Sequence, residues 1–305
     1  MSLDKIDGWV TRLQSGFITV QTSQGVVICH VRGRLKRTTF RGDILAVGDR
    51  VQVSIQSDGN GMIEFIEPRH NALVRQDPTP KGMYQQVLLS NPDQVLLVFS
   101  CANPPPHLRM LDRFLVICEK QQIPPVIVVN KIDLIGLEQA CQLFAVYANL
   151  GYPVLFTSVK QPYGLERFHD TLVGRISGLA GPSGVGKSSL LNAIQPELGL
   201  AVREVSEGTS KGRHTTIVRE MFALYDSGFV IDLPGLKSLA LWDTQPEELD
   251  GYFPELRRLV AACQFNDCTH SNEPGCAVKK AVEDGTVSPE RYNSYLRMRF
   301  GENET

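Results

Sequence analysis

Gly181-Pro182-Ser183-Gly184-Val185-Gly186-Lys187-Ser188 is preceded by the apolar run Ile176-Ser-Gly-Leu-Ala180 and followed by Ser189-Leu-Leu-Asn-Ala-Ile194. The eight residues satisfy G-x-x-x-x-G-K-[ST] in full, with the strand before and the helix after that the motif requires. Glycines let backbone N–H groups turn inward around α- and β-phosphates, and a helix N-terminus adds its positive dipole end. Lys187 then reaches the β- and γ-phosphates, the Ser188 hydroxyl binds Mg²⁺, and Ser189 continues the phosphate-binding set into the helix.

Three further stretches extend this site. Asp232-Leu-Pro-Gly235 ends a second apolar strand, Gly228-Phe-Val-Ile-Asp232, 44 residues beyond the loop. Asp232 is placed to hold Mg²⁺ through water, and the Gly235 N–H to sense a γ-phosphate. Asn130-Lys131-Ile132-Asp133 ends the strand Pro125-Val-Ile-Val-Val-Asn130. The Asp133 carboxylate can accept from N1–H and N2–H₂ of guanine, a donor pair adenine lacks, so the tetrad selects GTP over ATP. Thr157-Ser158 closes the following strand, where a short loop backs the base. The polar, aperiodic segment Ser206 to Thr216 reads as a nucleotide-dependent switch loop. Thr215 or Thr216 supplies a hydroxyl to Mg²⁺, with Thr216 preferred.

The order of these motifs is reversed. In Ras-like GTPases the phosphate loop comes first and Asn-Lys-x-Asp late; here residues 130–133 precede residues 181–188. A circular permutation of one sheet produces this order, because the site is assembled in space. Ras-like enzymes also orient the attacking water with a Gln just after Asp-x-x-Gly. That position is Leu236, which cannot hydrogen-bond to water. His214 in the switch loop is the nearest substitute, since an imidazole can position or polarise water.

The rest of the chain divides around this core. Residues 1–75 read as β-strands at Gly8–Val10, Phe17–Val20, Val26–His30 and Arg50–Ile55, punctuated by glycines. About five strands in this length predict a small barrel, an OB-fold. Residues 76–240 alternate strands and helices: strands at Gln94–Ser100, 125–130, 153–157, 176–180, 217–222 and 228–232, and a helix at Leu108–Cys118. Such alternation predicts a doubly wound, mainly parallel sheet. Residues 241–305 read as a polar helical domain.

That last segment holds Cys263, Cys268, His270 and Cys276, three sulfurs and an imidazole within 14 residues. A Cys₃His set is a closed tetrahedral Zn²⁺ set, so the site is structural, without an open position for chemistry. Cys29, Cys101, Cys118 and Cys141 sit in apolar runs and read as core residues. Arg32, Arg34, Lys36, Arg37 and Arg41 place five cations in ten residues beside Phe40, which suits phosphate contacts with base stacking. Arg291, Arg297 and Arg299 on the last helix form a second candidate RNA contact.

Composition bounds the class. The 305 residues are 42% hydrophobic and 21% charged, enough to bury a core. A net charge of −2 excludes a uniformly basic coat but not local basic patches. No signal-peptide core and no run of about 18 apolar residues appears, which predicts a cytoplasmic protein with no membrane partner. Seven cysteines, an odd number, fit a reducing compartment and a metal site better than a disulfide framework. No coiled coil or exposed apolar stripe appears, so a monomer is expected.

Taken together, NKID, TS, GPSGVGKS, GRHTT and DLPG, in that order, preceded by a β-barrel and followed by Cys-x4-Cys-x-His-x5-Cys, resemble the circularly permuted, ribosome small-subunit-dependent GTPases (the RsgA or YjeQ family). The resemblance spans essentially the whole chain. It implies an N-terminal OB-fold, a permuted GTPase domain and a zinc domain. It also implies GTP hydrolysis to GDP and phosphate with Mg²⁺, stimulated by the 30S particle and its 16S rRNA late in maturation, followed by release. His214 is similar to the family's catalytic switch histidine. Two other classes compete with this reading. One is an RNA-binding module that uses GTP only as a conformational ligand, suggested by Leu236. The other is an ATP-using P-loop enzyme, opposed by Asp133.

Overall fold

Five strands wrap into a closed barrel around inward apolar side chains, most of them branched, while Phe17, Val26, Ile28 and Phe65 stay exposed on the outside. The strands are β1 (Lys5–Gln14), β2 (Phe17–Thr22), β3 (Gly25–Val31), β4 (Arg50–Ile55) and β5 (Gly61–Ile66). Val10, Val20, Cys29, Val51, Val53 and Ile63 fill the interior with no exposed surface. The strand order β1-β2-β3-β5-β4 closes through antiparallel β1–β4, and β3 pairs with β5 in parallel. This is the five-stranded Greek-key arrangement of an OB-fold, as the sequence predicts. The computed structural model describes residues 5–14, 16–33, 35, 43–76, 85–200, 219–233 and 244–301.

An antiparallel ribbon of β6 (Ala72–Gln76) and β7 (Gln85–Ser90) joins the barrel to the central sheet. Ser90 N–H donates to the Val47 carbonyl at 2.8 Å, and the Asn91 side chain to the Gly48 carbonyl at 3.1 Å. Gly48 must be glycine: its φ is +89°, and a Cβ there would lie 2.2 Å from the Ser90 carbonyl oxygen. Trp9 of the barrel stands 6.4 Å from the Phe229 ring, between ring centroids.

The central sheet has the order β10-β9-β8-β11-β13-β12. Its members are β8 (Gln94–Ser100), β9 (Pro125–Asn130), β10 (Val154–Phe156), β11 (Ile176–Ala180), β12 (Met221–Ala223) and β13 (Phe229–Asp232). Pairings are parallel except β12–β13. Alternate residues of β8 enter different cores. Leu97 and Phe99 pack with Leu111 and Phe114 of α1 (Leu108–Gln121), on the side of α2 (Leu137–Asn149). Leu96 and Val98 pack with Phe168 of α3 (Leu165–Leu172) and Leu190 of α4 (Lys187–Ile194). Both faces are therefore covered, which explains why β8 reads as an unbroken apolar run. Cys29, Cys101 and Cys118 are buried, but Cys141 is exposed. The buried stripe of α2 runs through Ala140, Phe144 and Tyr147, and Cys141 falls off that stripe.

The C-terminal region contains α5 (Pro254–Arg257), α6 (Ala277–Glu283) and α7 (Pro289–Phe300). Ser288 caps α7 by accepting from Arg291 N–H, Pro289 occupies its first turn, and Gly301 ends it in the left-handed conformation. Leu249, Phe253, Leu256, Val278 and Tyr295 form a core that also takes in Val116 of α1, so the tail is packed on the central domain. Arg291 corrects the sequence reading: it is 2% exposed rather than a surface cation. Its guanidinium donates to Asp112 Oδ1 at 2.8 Å and to both Glu255 oxygens at 2.7 and 3.1 Å. Arg299 is half-buried and donates to the Pro246 carbonyl at 2.9 Å and to the Tyr295 hydroxyl at 3.0 Å. No described helix is long and apolar enough to cross a membrane.

Candidate nucleotide site and metal centre

The described nucleotide-motif residues converge at the carboxyl ends of the parallel strands, where open α/β sheets bind ligands. Residues 181–186 link β11 to α4. Gly181 passes so near β8 that a Cβ would meet the Val98 carbonyl at 2.0 Å. Gly186 has φ +97° and caps α4, and a Cβ there would strike the Asn130 side-chain nitrogen at 2.4 Å. Lys187 folds back over the loop, donating to the carbonyls of Gly181 at 3.0 Å and Pro182 at 3.2 Å. Ser188 and Ser189 follow on the first turn of α4, both half-buried.

Asn130 ends β9 beside this loop. Its amide donates to the Val185 carbonyl at 2.8 Å and accepts from Thr157 Oγ1 at 3.2 Å. Lys131 adopts φ +64° and donates to the carbonyls of Gly184 at 2.6 Å and Asn103 at 2.5 Å. Burial holds its ammonium below the ordinary value. Ser158 Oγ donates to Asp133 Oδ1 at 2.5 Å, so the carboxylate predicted to read the base is oriented by the loop that follows β10. Sequence reasoning missed two supports. The Asn103 carbonyl holds Lys131 from the β8–α1 loop. Gly164 has φ +67°, with a would-be Cβ only 2.1 Å from the Phe156 carbonyl, and lets the backing loop turn. A backbone carbonyl leaves no sequence signal.

Asp232 ends β13 next to β11, in register with Leu179. Its Oδ1 is buried and has no hydrogen-bond partner among the described residues. Burial raises its carboxyl above the ordinary 3.8, and Lys187 only partly opposes this. A buried, partnerless carboxylate oxygen beside a phosphate loop fits a divalent cation. His214, Thr215, Thr216 and Gly235 lie outside the described residues. So do Arg34, Lys36, Arg37 and Arg41; Arg32 is described and pairs with Glu64.

In the C-terminal region the ligand atoms of Cys263, Cys268, His270 and Cys276 lie within 4.8 Å of one another. His270 Nδ1 is 3.6 Å from the Cys263 sulfur and 3.4 Å from the Cys276 sulfur, and the two sulfurs are 4.0 Å apart. A tetrahedral ion with metal–sulfur bonds of about 2.3 Å needs ligand–ligand edges of about 3.5–3.8 Å, so the set can hold a metal. Asp250 Oδ2 is 3.2 Å from His270 Nε2 and orients the ring, a further contact the sequence did not reveal. Tyr292 OH donates to the His270 carbonyl at 2.5 Å. Against the upward push of burial, the Ala277 and Val278 N–H groups and His270 hold the Cys263 thiol below its ordinary value.

Residues 66–242 match the RsgA GTPase family model and residues 7–63 the RsgA N-terminal domain model. The chain is 45% identical to the small ribosomal subunit biogenesis GTPase RsgA of Gemmatimonas aurantiaca, over 96% of both chains. It is 40% identical to the protein of the same name from Alkaliphilus metalliredigens, over 93% of both. Among solved structures, YjeQ from Thermotoga maritima superposes with a TM-score of 0.79 at 36% identity, covering 98% of both chains. YloQ, described as a circularly permuted GTPase, superposes with a TM-score of 0.75 at 33% identity, covering 98% of this chain and 95% of its own. The chain belongs to the RsgA GTPase family and is a circularly permuted GTP hydrolase with an N-terminal five-stranded barrel and a Cys₃His cluster near its C-terminus.

Proposed function

We propose that this protein binds the small ribosomal subunit in its GTP form, hydrolyses GTP to GDP and phosphate there, and then dissociates, as a late assembly factor in the cytoplasm. The observation that carries the ribosomal half is the name shared by relatives matching 96% and 93% of the chain. Residues 1–75 act as the RNA-binding barrel, 76–240 as the GTPase domain and 241–305 as the zinc-binding domain of a monomer.

Within the site, the N–H groups of residues 181–186 and Lys187 hold the phosphates. Ser188, Asp232 and Thr215 or Thr216 would hold Mg²⁺, which supplies charge neutralisation at the β- and γ-phosphates. Asp133 reads guanine, kept in place by Ser158. His214 orients the attacking water, since Leu236 cannot. The Gly235 N–H senses the γ-phosphate. The Cys₃His set holds a structural Zn²⁺, by the chemistry of three thiolates and an imidazole.

The barrel supplies an RNA-facing surface. Strands β2 and β3 carry no Asp or Glu, and on their outer face the rings of Phe17 and His30 stand 5.8 Å apart beside exposed Ile28. Strands 2 and 3 are the usual oligonucleotide face of this fold, and the cationic run from Arg32 to Arg41 continues from β3. Co-sedimentation with purified 30S particles tests the cycle: the protein should pellet with a non-hydrolysable GTP analogue and stay in solution with GDP. Equal pelleting with both nucleotides would contradict it.

The competing reading, an RNA-binding module for which GTP is only a conformational ligand, is favoured by Leu236. His214→Ala separates the two. Loss of turnover with near-normal GTP affinity, and a protein retained on the particle, supports hydrolysis as the release step. Normal release from the particle without turnover favours the module.

A further inference from the structure

The base-reading Asp133 and Lys131 sit on a loop whose two neighbouring helices converge, away from the nucleotide, on one buried arginine of the C-terminal region. Helix α1 follows the loop that supplies the Asn103 carbonyl to Lys131, and in that loop the Cys101 thiol donates to the Lys131 carbonyl at 3.0 Å. Asp112 lies one turn into α1. Helix α2 begins four residues after Asp133, and near its far end Tyr147 OH donates to Asp112 Oδ1 at 2.8 Å. The same Asp112 oxygen accepts from Arg291 at 2.8 Å, and the Arg291 guanidinium lies 5.8 Å from the Tyr147 ring and 4.6 Å from that of Phe253. Asp112 and Arg291 are each 2% exposed, so this ion pair is unscreened by water.

We infer that Arg291 is a positioning residue for guanine recognition: through Asp112 and Tyr147 it fixes α1 and α2 relative to each other, and so fixes the two loops that place Lys131 and Asp133. The inference rests on the reading of Asp133 and Lys131 as the base-binding residues. The phosphate loop hangs from β11 and α4, which Arg291 does not touch. Losing Arg291 therefore loosens the grip on the base more than the grip on the phosphates, whose loop meets the base tetrad through the Asn130–Val185 and Lys131–Gly184 bonds. It also gives the metal-bearing region a physical connection to base recognition, because Arg291 sits on α7 with Tyr292, whose hydroxyl binds the His270 carbonyl.

The test is equilibrium binding of fluorescent GDP and ADP to the full-length wild type and to Arg291→Met, Arg291→Lys and Tyr147→Phe. Arg291→Met should weaken GDP by roughly two- to thirtyfold, the span of couplings carried through packed networks, while ADP binding falls by less. The GDP-to-ADP preference shrinks accordingly, and Arg291→Lys recovers part of it. A role limited to stability would lower the melting temperature and leave that preference intact, which overturns the inference. Should Arg291→Met fail to fold, Tyr147→Phe keeps the ring and removes only the hydroxyl bond. An unchanged GDP-to-ADP ratio in that variant also overturns it. A wild-type protein without preference for GDP would contradict the base-recognition reading itself, and this inference with it.

Discussion

Asn130 donates its side-chain N–H to the Val185 carbonyl at 2.8 Å across 55 residues of sequence. The bond ties the end of β9, which carries the proposed guanine-reading residues, to the middle of the Gly181–Ser188 loop, and the same amide accepts from Thr157, one residue past β10. Base and phosphate elements are thus one hydrogen-bonded unit, whichever of them the chain reaches first. A permuted order preserves this contact because the contact depends on strand adjacency, not on sequence order.

Asp133→Asn should turn the base preference. The substitution replaces an acceptor pair with an amide, so guanine affinity should fall by about a hundredfold or more while xanthine nucleotides gain. Competition between GDP and XDP measures this directly. Unchanged GDP preference would remove Asp133 from the base site.

Gly186→Ala should damage the site without touching a nucleotide atom. The residue has φ +97° and its new methyl would overlap the Asn130 amide. Strain of this kind costs about 1–3 kcal/mol, so GDP affinity should drop by roughly five- to 140-fold. Retained affinity in isothermal titration would show that the Asn130–Val185 bond does not shape the loop.

Asp232→Asn should stabilise the nucleotide-free protein and abolish Mg²⁺-dependent turnover. Burial raises the carboxyl above 3.8 in the folded state. The folded protein therefore keeps a proton that the unfolded chain releases, and stability falls as pH rises from 3.8 through the folded value. The gain in melting temperature from Asp232→Asn should accordingly be larger at about pH 8 than at about pH 4. An equal or negative change at the higher pH would mean that the carboxylate is already well compensated.

Asp250→Ala should loosen the metal without removing a ligand. Partners of a ligating imidazole typically contribute 10–100-fold in metal affinity, so about that loss is expected in a chelator competition. Cys268→Ser, which removes a ligand, should reduce bound zinc from about one ion per chain to none and lower the melting temperature through the core around Phe253 and Tyr295. Full zinc content in the Cys268→Ser protein would refute the Cys₃His assignment.

Strands β8, β9 and β11 were legible to the residue, since each is buried on both faces and reads as a short apolar block between polar ends. The barrel was legible from short runs of β-branched residues and the glycines between them. The β6–β7 ribbon was not, because its Leu73 and Leu89 find their burial against distant residues such as Val47 and Val95 rather than through a local pattern. Of the edge strand expected at 217–222, residues 217 and 218 lie outside the described residues, and the described part pairs with β13 over Met221–Ala223. Motif spacing brought out the candidate nucleotide residues that the structure gathers at the carboxyl ends of β9, β11 and β13, but not the carbonyl of Asn103 or the carboxylate of Asp250. Arg291 looked like one of three surface cations; its partners Glu255 and Asp112 lie 36 and 179 residues away, beyond any local periodicity.

GTP turnover by the purified protein, alone and with 30S or 50S subunits, tests the central proposal most directly. A slow basal rate, strong stimulation by 30S and none by 50S is the predicted result. A fast basal rate unaffected by 30S would contradict it, and would make the protein a free-standing nucleotide hydrolase.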